Sequence, residues 1–149
     1  MTTIDCFVPC SDAAFAPELS MQFAGCPLVS KLHFLSTESF NPESKAEVLK
    51  VDAIASTATL RTISSVVNAD YVLLSVKNTS LELGQFALDR LSRIAGDTGA
   101  AMVYSDYYRI INGVRTSHPV NDYQEGSLRD DFNFGSLWLI PAGLFKKVV

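Results

Sequence analysis

The chain has 149 residues, 48% hydrophobic and 19% charged, with a formal net charge of −4. That length suits one domain that buries about two-thirds of its unfolded surface. The acidic balance, with twelve Lys and Arg that form no stripe, excludes a nucleic-acid surface, and no apolar run approaches the roughly 18 residues of a membrane span.

The opening MTTIDCFVPC enters a strand at once and has no basic leader, so no signal peptide is expected. Residues 4–8 form the first strand, closed by Pro9. Ser11 or Asp12 can cap a helix running to about Ala24, with Phe15, Leu19 and Phe23 four apart on one face. Gly25 and Pro27 end it. Residues 29–35 read as a second strand with a polar exit, Ser36, Thr37, Glu38 and Ser39. Asn41, Pro42 and Glu43 have the order of a cap, a first-position proline and a first-turn acid. A short helix is therefore expected there, then a brief strand over 51–55.

Thr57 or Thr59 opens the next helix, whose apolar stripe is Leu60, Ile63, Val66 and Val67. A third core strand follows at 71–76. Residues 82–95 form the best helical segment, with Ala87, Leu91 and Ile94 on one side and Gly96 as its stop. A fourth main strand is expected at 100–104. Strand and helix alternate to this point, which predicts an α/β domain with three layers and a largely parallel sheet. The pattern then changes. Residues 109–115 place Asn112 and Gly113 between β-forming residues, the signal of a tight antiparallel hairpin. Residues 123–131 read as a polar loop, and 134–140 as one more apolar strand. The final PAGLFKKVV stops within an apolar run. From this, residues 1–149 are expected to be one domain cut from a longer chain, with an apolar face that could pair with a second copy.

Chemistry is expected where the strand over 71–76 opens into Lys77, Asn78, Thr79 and Ser80, because ligands of α/β domains gather at the carboxyl ends of strands. This turn has no carboxylate. Lys77 and Asn78 can be a solvated turn, a diphosphate site in which Lys77 supplies the positive charge, or a site in which Asn78 alone offers an oxygen to a cation. Asp106, among Tyr104, Tyr107 and Tyr108, suits sugar hydroxyls and rings, or else is a turn residue entering the hairpin. Asp12 can touch a ribose or cap the first helix. Asp130 and Asp131 are adjacent and point apart in extended chain, which disfavours a shared cation, whereas in a loop they could share one. His33 reads as a packed strand residue and His118 as a surface-loop residue. Neither has a Cys or His partner at zinc-ligand spacing. Cys6, Cys10 and Cys26 are odd in number and also lack ligand spacing. They are expected to be buried thiols in a reducing compartment, hence a cytoplasmic location. No Gly-x-Ser-x-Gly elbow, dinucleotide fingerprint or phosphate-loop lysine motif occurs.

The order of parts resembles the N-terminal half of the family 2 glycosyltransferases, which have the GT-A fold. TTIDCFVPCSD is similar to their opening strand, KLHFLSTES to the second strand, and residues 57–76 to the helix and strand that lead to the DxD motif. AMVYSDY resembles the later strand whose aspartate lies near donor and acceptor sugars, and residues 132–149 the segment before the acceptor region. The resemblance implies a GT-A sheet that binds a nucleotide-sugar and transfers the sugar to a glycan or lipid-linked acceptor, with Mn²⁺ or Mg²⁺ as cofactor in the parent, at the cytoplasmic face of a membrane. It assigns Pro9, Ser11, Asp12, Ser36, Glu38 and Asn78 to the nucleotide and cation, Lys77 to the leaving diphosphate, and Asp106 to the sugar. Val76, Lys77 and Asn78 stand where the family has its DxD pair, and Ser36 where it has its base-binding aspartate. Glu38, two residues on, is the substitute acid or a loop residue. The family's catalytic-base region falls beyond residue 149, so this chain alone is expected not to catalyse. A non-catalytic binding or structural domain on the same fold is the alternative.

Overall fold

The computed structural model describes residues 1–122, 124–126 and 129–149. Tyr123, Ser127 and Leu128, part of the loop expected over 123–131, lie outside the described residues. In chain order the elements are β1 (Ile4–Pro9), α1 (Ala16–Ala24), β2 (Val29–Ser36), β3 (Glu47–Lys50), α2 (Thr57–Val66), β4 (Tyr71–Ser75), α3 (Ala87–Thr98), β5 (Tyr107–Ile111), β6 (Val114–His118), β7 (Leu137–Pro141) and α4 (Ala142–Val148). Five strands form one sheet in the order β3-β2-β1-β4-β7, and β5 pairs with β6 in a separate ribbon. The pairs among β1 to β4 are parallel and β7 runs antiparallel to β4. This is the mostly parallel α/β sheet with an antiparallel hairpin that the alternation predicts.

Strand β1 is buried along its whole length, as a strand covered on both faces must be. Its alternate side chains serve two cores. Ile4, Cys6 and Val8 pack with α1 and α3 through Leu19, Phe23, Leu88 and Leu91, while Phe7 packs with α2 and α4 through Ile63, Val67, Ala142 and Phe145. The sheet is therefore the middle of three layers. Asp5 points to the second face, buried, where its Oδ2 accepts from the backbone N–H groups of Asn68 (2.9 Å) and Ala69 (3.2 Å). That carboxylate ties the α2–β4 connection to the central strand.

Several expected elements differ. No helix follows Asn41, Pro42 and Glu43: the Asn41 Oδ1 accepts from the Glu43 N–H at 3.1 Å, a local turn. The chain then enters β3 at Glu47, earlier than the strand expected at 51–55. Helix α2 does open at Thr57, capped by Ser56, whose hydroxyl accepts from the Thr59 N–H. Helix α3 starts five residues late. Residues 82–84 before it have no regular structure and 85–86 form a turn, with Leu81 and Leu83 packed on the core and the Leu83 N–H bonded to Gln22. Phe86 adopts φ 57, and Gly99, not Gly96, makes the left-handed stop at φ 64. The strand expected at 100–104 is reduced to one antiparallel bridge, Val103 to Leu139, because β7 occupies the place beside β4. The apolar run over 141–149 forms α4, with Ala142 and Phe145 buried.

All three thiols are free; Cys6 and Cys10 are buried and Cys26 is half-buried, less enclosed than expected. Burial pushes the Cys6 and Cys10 thiols up, which leaves them unreactive. Among the described residues no helix is long and apolar enough to cross a membrane.

His33, buried on β2, stacks on Phe7 with ring centroids 4.8 Å apart. Burial pushes its imidazole below the ordinary value of 6.5, opposed by the charges of Glu47, 3.4 Å from Nδ1, and Asp5, and assisted by Lys31. The unfolded chain therefore takes up this proton more readily than the folded one. Stability should fall as the pH drops through the unfolded value, by at most about 1.4 kcal/mol per pH unit, and level off below the folded value. Urea midpoints at about pH 7.5 and about pH 5.5 test this against His33→Phe, which keeps a ring on Phe7 and should show the smaller drop. Equal drops in both proteins would remove His33 as the cause.

Candidate functional site

Two parallel neighbours leave β1 on opposite sides: β2 and β3 lie one way, β4 the other. The chain thus reverses its direction of winding between β1 and β4, and a crevice opens at their carboxyl ends. The residues at that mouth are Ser11 and Asp12 after β1, and Lys77 and Asn78 after β4. They meet. The Asn78 Nδ2 donates to the Ser11 Oγ at 2.9 Å. The turn that aims them is fixed by Ser75, whose hydroxyl donates to the Lys77 carbonyl at 3.4 Å, and by the Val76 N–H, bonded to the Ser136 carbonyl at 3.0 Å.

Lys77 places its ammonium over the Tyr107 ring, 4.8 Å from the centroid, and forms no ion pair with a carboxylate among the described residues. Tyr107 is held from two more directions. It stacks on His118 (4.6 Å between centroids, 11° between planes), and its hydroxyl accepts from the Asn133 Nδ2 at 3.1 Å. The Asn133 hydrogen bond, then the Lys77 charge, hold the phenol below its usual range. Lys77 thus links the strand-end turn to an aromatic wall made by Tyr107, His118 and Asn133.

Asp106 stands one residue before this wall. It does not end a core strand; it lies exposed in the link between the Val103 bridge and β5, where its Oδ1 accepts from the Val120 N–H at 2.8 Å. Asp12 does not cap α1. Its Oδ1 accepts from the Ala14 N–H at 2.8 Å in a turn, and the N-cap of α1 is Phe15, without a side-chain bond and with Pro17 in the first turn. Pro9 ends β1 opposite Leu35. Ser36 is buried at the end of β2, its Oγ accepting from the Glu38 N–H at 3.1 Å, so Glu38 sits on an exposed turn one strand away from the Ser11–Asn78 contact.

The structure joins Ser11 to Asn78, and Lys77 to the residue after Asp106. It shows no contact from Ser36 or Glu38 to that pair. Arg129 and Asp131 pair with each other at 3.3 Å. No group of three or more His, Cys, Asp or Glu that could hold a metal occurs among the described residues. His118 is half-buried at the end of β6, not a surface-loop residue. Its place was available from the turn, since a tight hairpin through Asn112 and Gly113 pairs Tyr107 with His118. Asn133 had no sequence signal. The sequence matches no protein-family model and no curated protein.

Gly135 supports the wall from behind. It is buried at φ 77, and a Cβ there would lie 2.8 Å from the Ser105 carbonyl oxygen and 3.7 Å from the Tyr107 ring. Gly135→Ala should cost about 1–3 kcal/mol, from the left-handed backbone and from contact with a backbone atom that cannot rotate away. A denaturant midpoint unchanged from the parent chain would show that this approach is not tight.

Proposed function

We propose that this domain is a GT-A-like module that binds a nucleoside-diphosphate sugar at the crevice between β1 and β4. The observation that carries the reading is the Asn78–Ser11 bond across the winding reversal, with Lys77 adjacent in the same turn and in no carboxylate ion pair among the described residues. A diphosphate there meets a cation, an amide and a serine hydroxyl, all groups that recognise phosphate oxygens. The donor set does not fit a hard divalent cation. Asn78 contributes one neutral amide oxygen, Asp12 contributes a single carboxylate whose Oδ1 already accepts from the Ala14 N–H, and the other side chains are an ammonium and hydroxyls, whereas Mg²⁺ or Mn²⁺ calls for several carboxylates. Lys77 is the group that offsets the diphosphate charge.

In the full reaction, an acceptor oxygen of a glycan or lipid-linked sugar bonds to the anomeric carbon while the bond from that carbon to the diphosphate breaks. The electron pair leaves on the diphosphate, next to Lys77, and the hydroxyl proton passes to a general base. Asp106 and the Tyr107 ring face the sugar side of the crevice in this reading. Ser36 and Glu38 lie toward the nucleoside. The same carboxylate-free turn favours a second reading, a binding or structural domain that performs no transfer.

Calorimetric titration with UDP- and GDP-sugars, with and without Mn²⁺, tests the reading. Binding should be measurable without the metal, and Lys77→Gln should weaken it by about ten-fold or more, the loss of one charge-assisted contact worth about 1.5–3 kcal/mol. No heat with any donor under either condition would leave the structural reading in its place.

A further inference from the structure

The β5–β6 ribbon stands outside both hydrophobic cores, and every residue from 108 to 117 is exposed. Its far end carries Ile110, Ile111 and Val114, which are 61%, 53% and 65% exposed. We propose that this tip docks on an anionic lipid surface. The apolar side chains enter the headgroup layer, and Arg109 and Arg115 pair with lipid phosphates. The donor reading above plays no part in this.

Side chains alternate between the two faces of a ribbon. The register sets Ile111 opposite Val114 and Arg109 opposite Thr116 on one face, and Ile110 opposite Arg115 and Tyr108 opposite Ser117 on the other. The tip is therefore apolar on both faces. A flat protein surface would cover only one of them, whereas a fluid lipid layer closes around both. Arg115 leans back over the Tyr108 ring, 3.9 Å from its centroid, so its charge lies toward the root of the ribbon and its stem toward the tip. Basic side chains take that posture at a lipid boundary, and tyrosine rings are favoured at the same level. Depth agrees as well. At about 3.3 Å per strand residue, Ile111 lies roughly 7 Å beyond Arg109, and interfacial segments sit about 5–10 Å into the headgroup boundary. The Asn112-Gly113 turn at the apex keeps its polar backbone in that wet layer and out of the dry acyl core.

Residues 107–118 include two arginines and no Asp or Glu, on a chain of net charge −4. Neither arginine is in an ion pair among the described residues. Positive charge and exposed apolar surface thus coincide at one end of an acidic molecule. An anionic surface attracts that end and repels the remainder, which orients the tip toward lipid. Pairing with the ribbon of a second copy is disfavoured, because it gathers four arginines and no ribbon carboxylate to offset them.

Co-sedimentation of the full chain with sucrose-loaded vesicles tests the proposal, using phosphatidylcholine alone and an equal mixture of phosphatidylcholine and phosphatidylglycerol. Binding to the mixture is expected, about ten-fold or more above that to phosphatidylcholine alone, and it should fall with added salt. Arg109→Gln with Arg115→Gln should weaken it about 25-fold, roughly five-fold for each charge. Ile110→Thr with Ile111→Thr keeps β-branched residues in the strand and should weaken it about ten-fold. These positions are exposed, so both variants should keep the parent's circular dichroism and urea midpoint. Val114→Thr, a milder change at the tip, should lose about three-fold. No sedimentation with the mixture, equal sedimentation with both vesicles, or a loss confined to the arginine variant would each overturn tip docking. A dimer in sedimentation velocity that the isoleucine variant abolishes, without lipid binding, would assign the tip to a second copy instead.

Discussion

The constraint on which the rest depends is the full burial of β1 between two parallel neighbours. A strand with no exposed face needs a helix layer on each side, and it sets the register of β2 and β4 against itself. Because those neighbours depart in opposite directions, their helices cannot close over the carboxyl end of β1. The open mouth is a consequence of topology, whatever residues fill it. Sequence decides only its chemistry, and here it supplies Ser11, Lys77 and Asn78.

The aromatic appendage then converts an open mouth into a walled one. A two-stranded ribbon has little stability alone, and β5–β6 belongs to a sheet of its own. What fixes its base is a set of contacts from outside the ribbon: Lys77 over Tyr107, Asn133 on the Tyr107 hydroxyl, and the Val120 N–H on Asp106. Behind it, Tyr104 meets Phe132 and Phe134 edge-on, and Phe134 meets Trp138 of β7 in the same way. The ribbon's position is thus coupled to β7, and through β7 to the strand that carries Lys77. Its outer part has no such support: Ile110, Ile111 and Val114 are exposed.

The legible parts of the sequence were those in which one local signal has one structural meaning. Asn112-Gly113 is such a case. Both residues take positive φ, 51 and 75, and the hairpin register follows from the turn. The core strands were legible because burial on both faces leaves mostly apolar runs such as 6–9 and 71–74. Where a signal has two meanings, tertiary demand chose. Asn41 does bond the Glu43 N–H, as a capping residue would, but the chain has to reach β3 within a few residues and no helix fits. Residues 82–86 join a segment whose apolar stripe, Ala87, Leu91 and Ile94, suits a helix, yet they stay outside it, and Leu81 and Leu83 pack on the core without helical structure. The candidate site divides in the same way. The Ser11–Asn78 meeting follows from strand order, and the Tyr107–His118 pair from hairpin arithmetic. Asn133 comes from a loop whose path no local pattern encodes, and the separation of Glu38 from the turn could be read only from the three-dimensional arrangement.

Under the proposed donor reading, a turn that offers Lys77 and Asn78 instead of carboxylates has a further physical consequence. A divalent cation bridges two phosphate oxygens and carries two charges, whereas one ammonium carries a single charge on a flexible stem. On its own Lys77 would be a weak substitute, because an exposed, mobile side chain loses entropy when it engages a ligand. The Tyr107 ring limits that loss. Held by His118 and Asn133, it gives the ammonium a resting position by cation–π attraction, worth about 0.5–1 kcal/mol at an exposed site. That is enough to bias the side chain toward the ring and too little to compete with the proposed diphosphate for it. A carboxylate partner would have been the stronger anchor and the worse one, since it would neutralise the charge that the ligand needs. Tyr107 orders Lys77 while leaving its charge available, and this links the appendage physically to the proposed work of the strand-end turn.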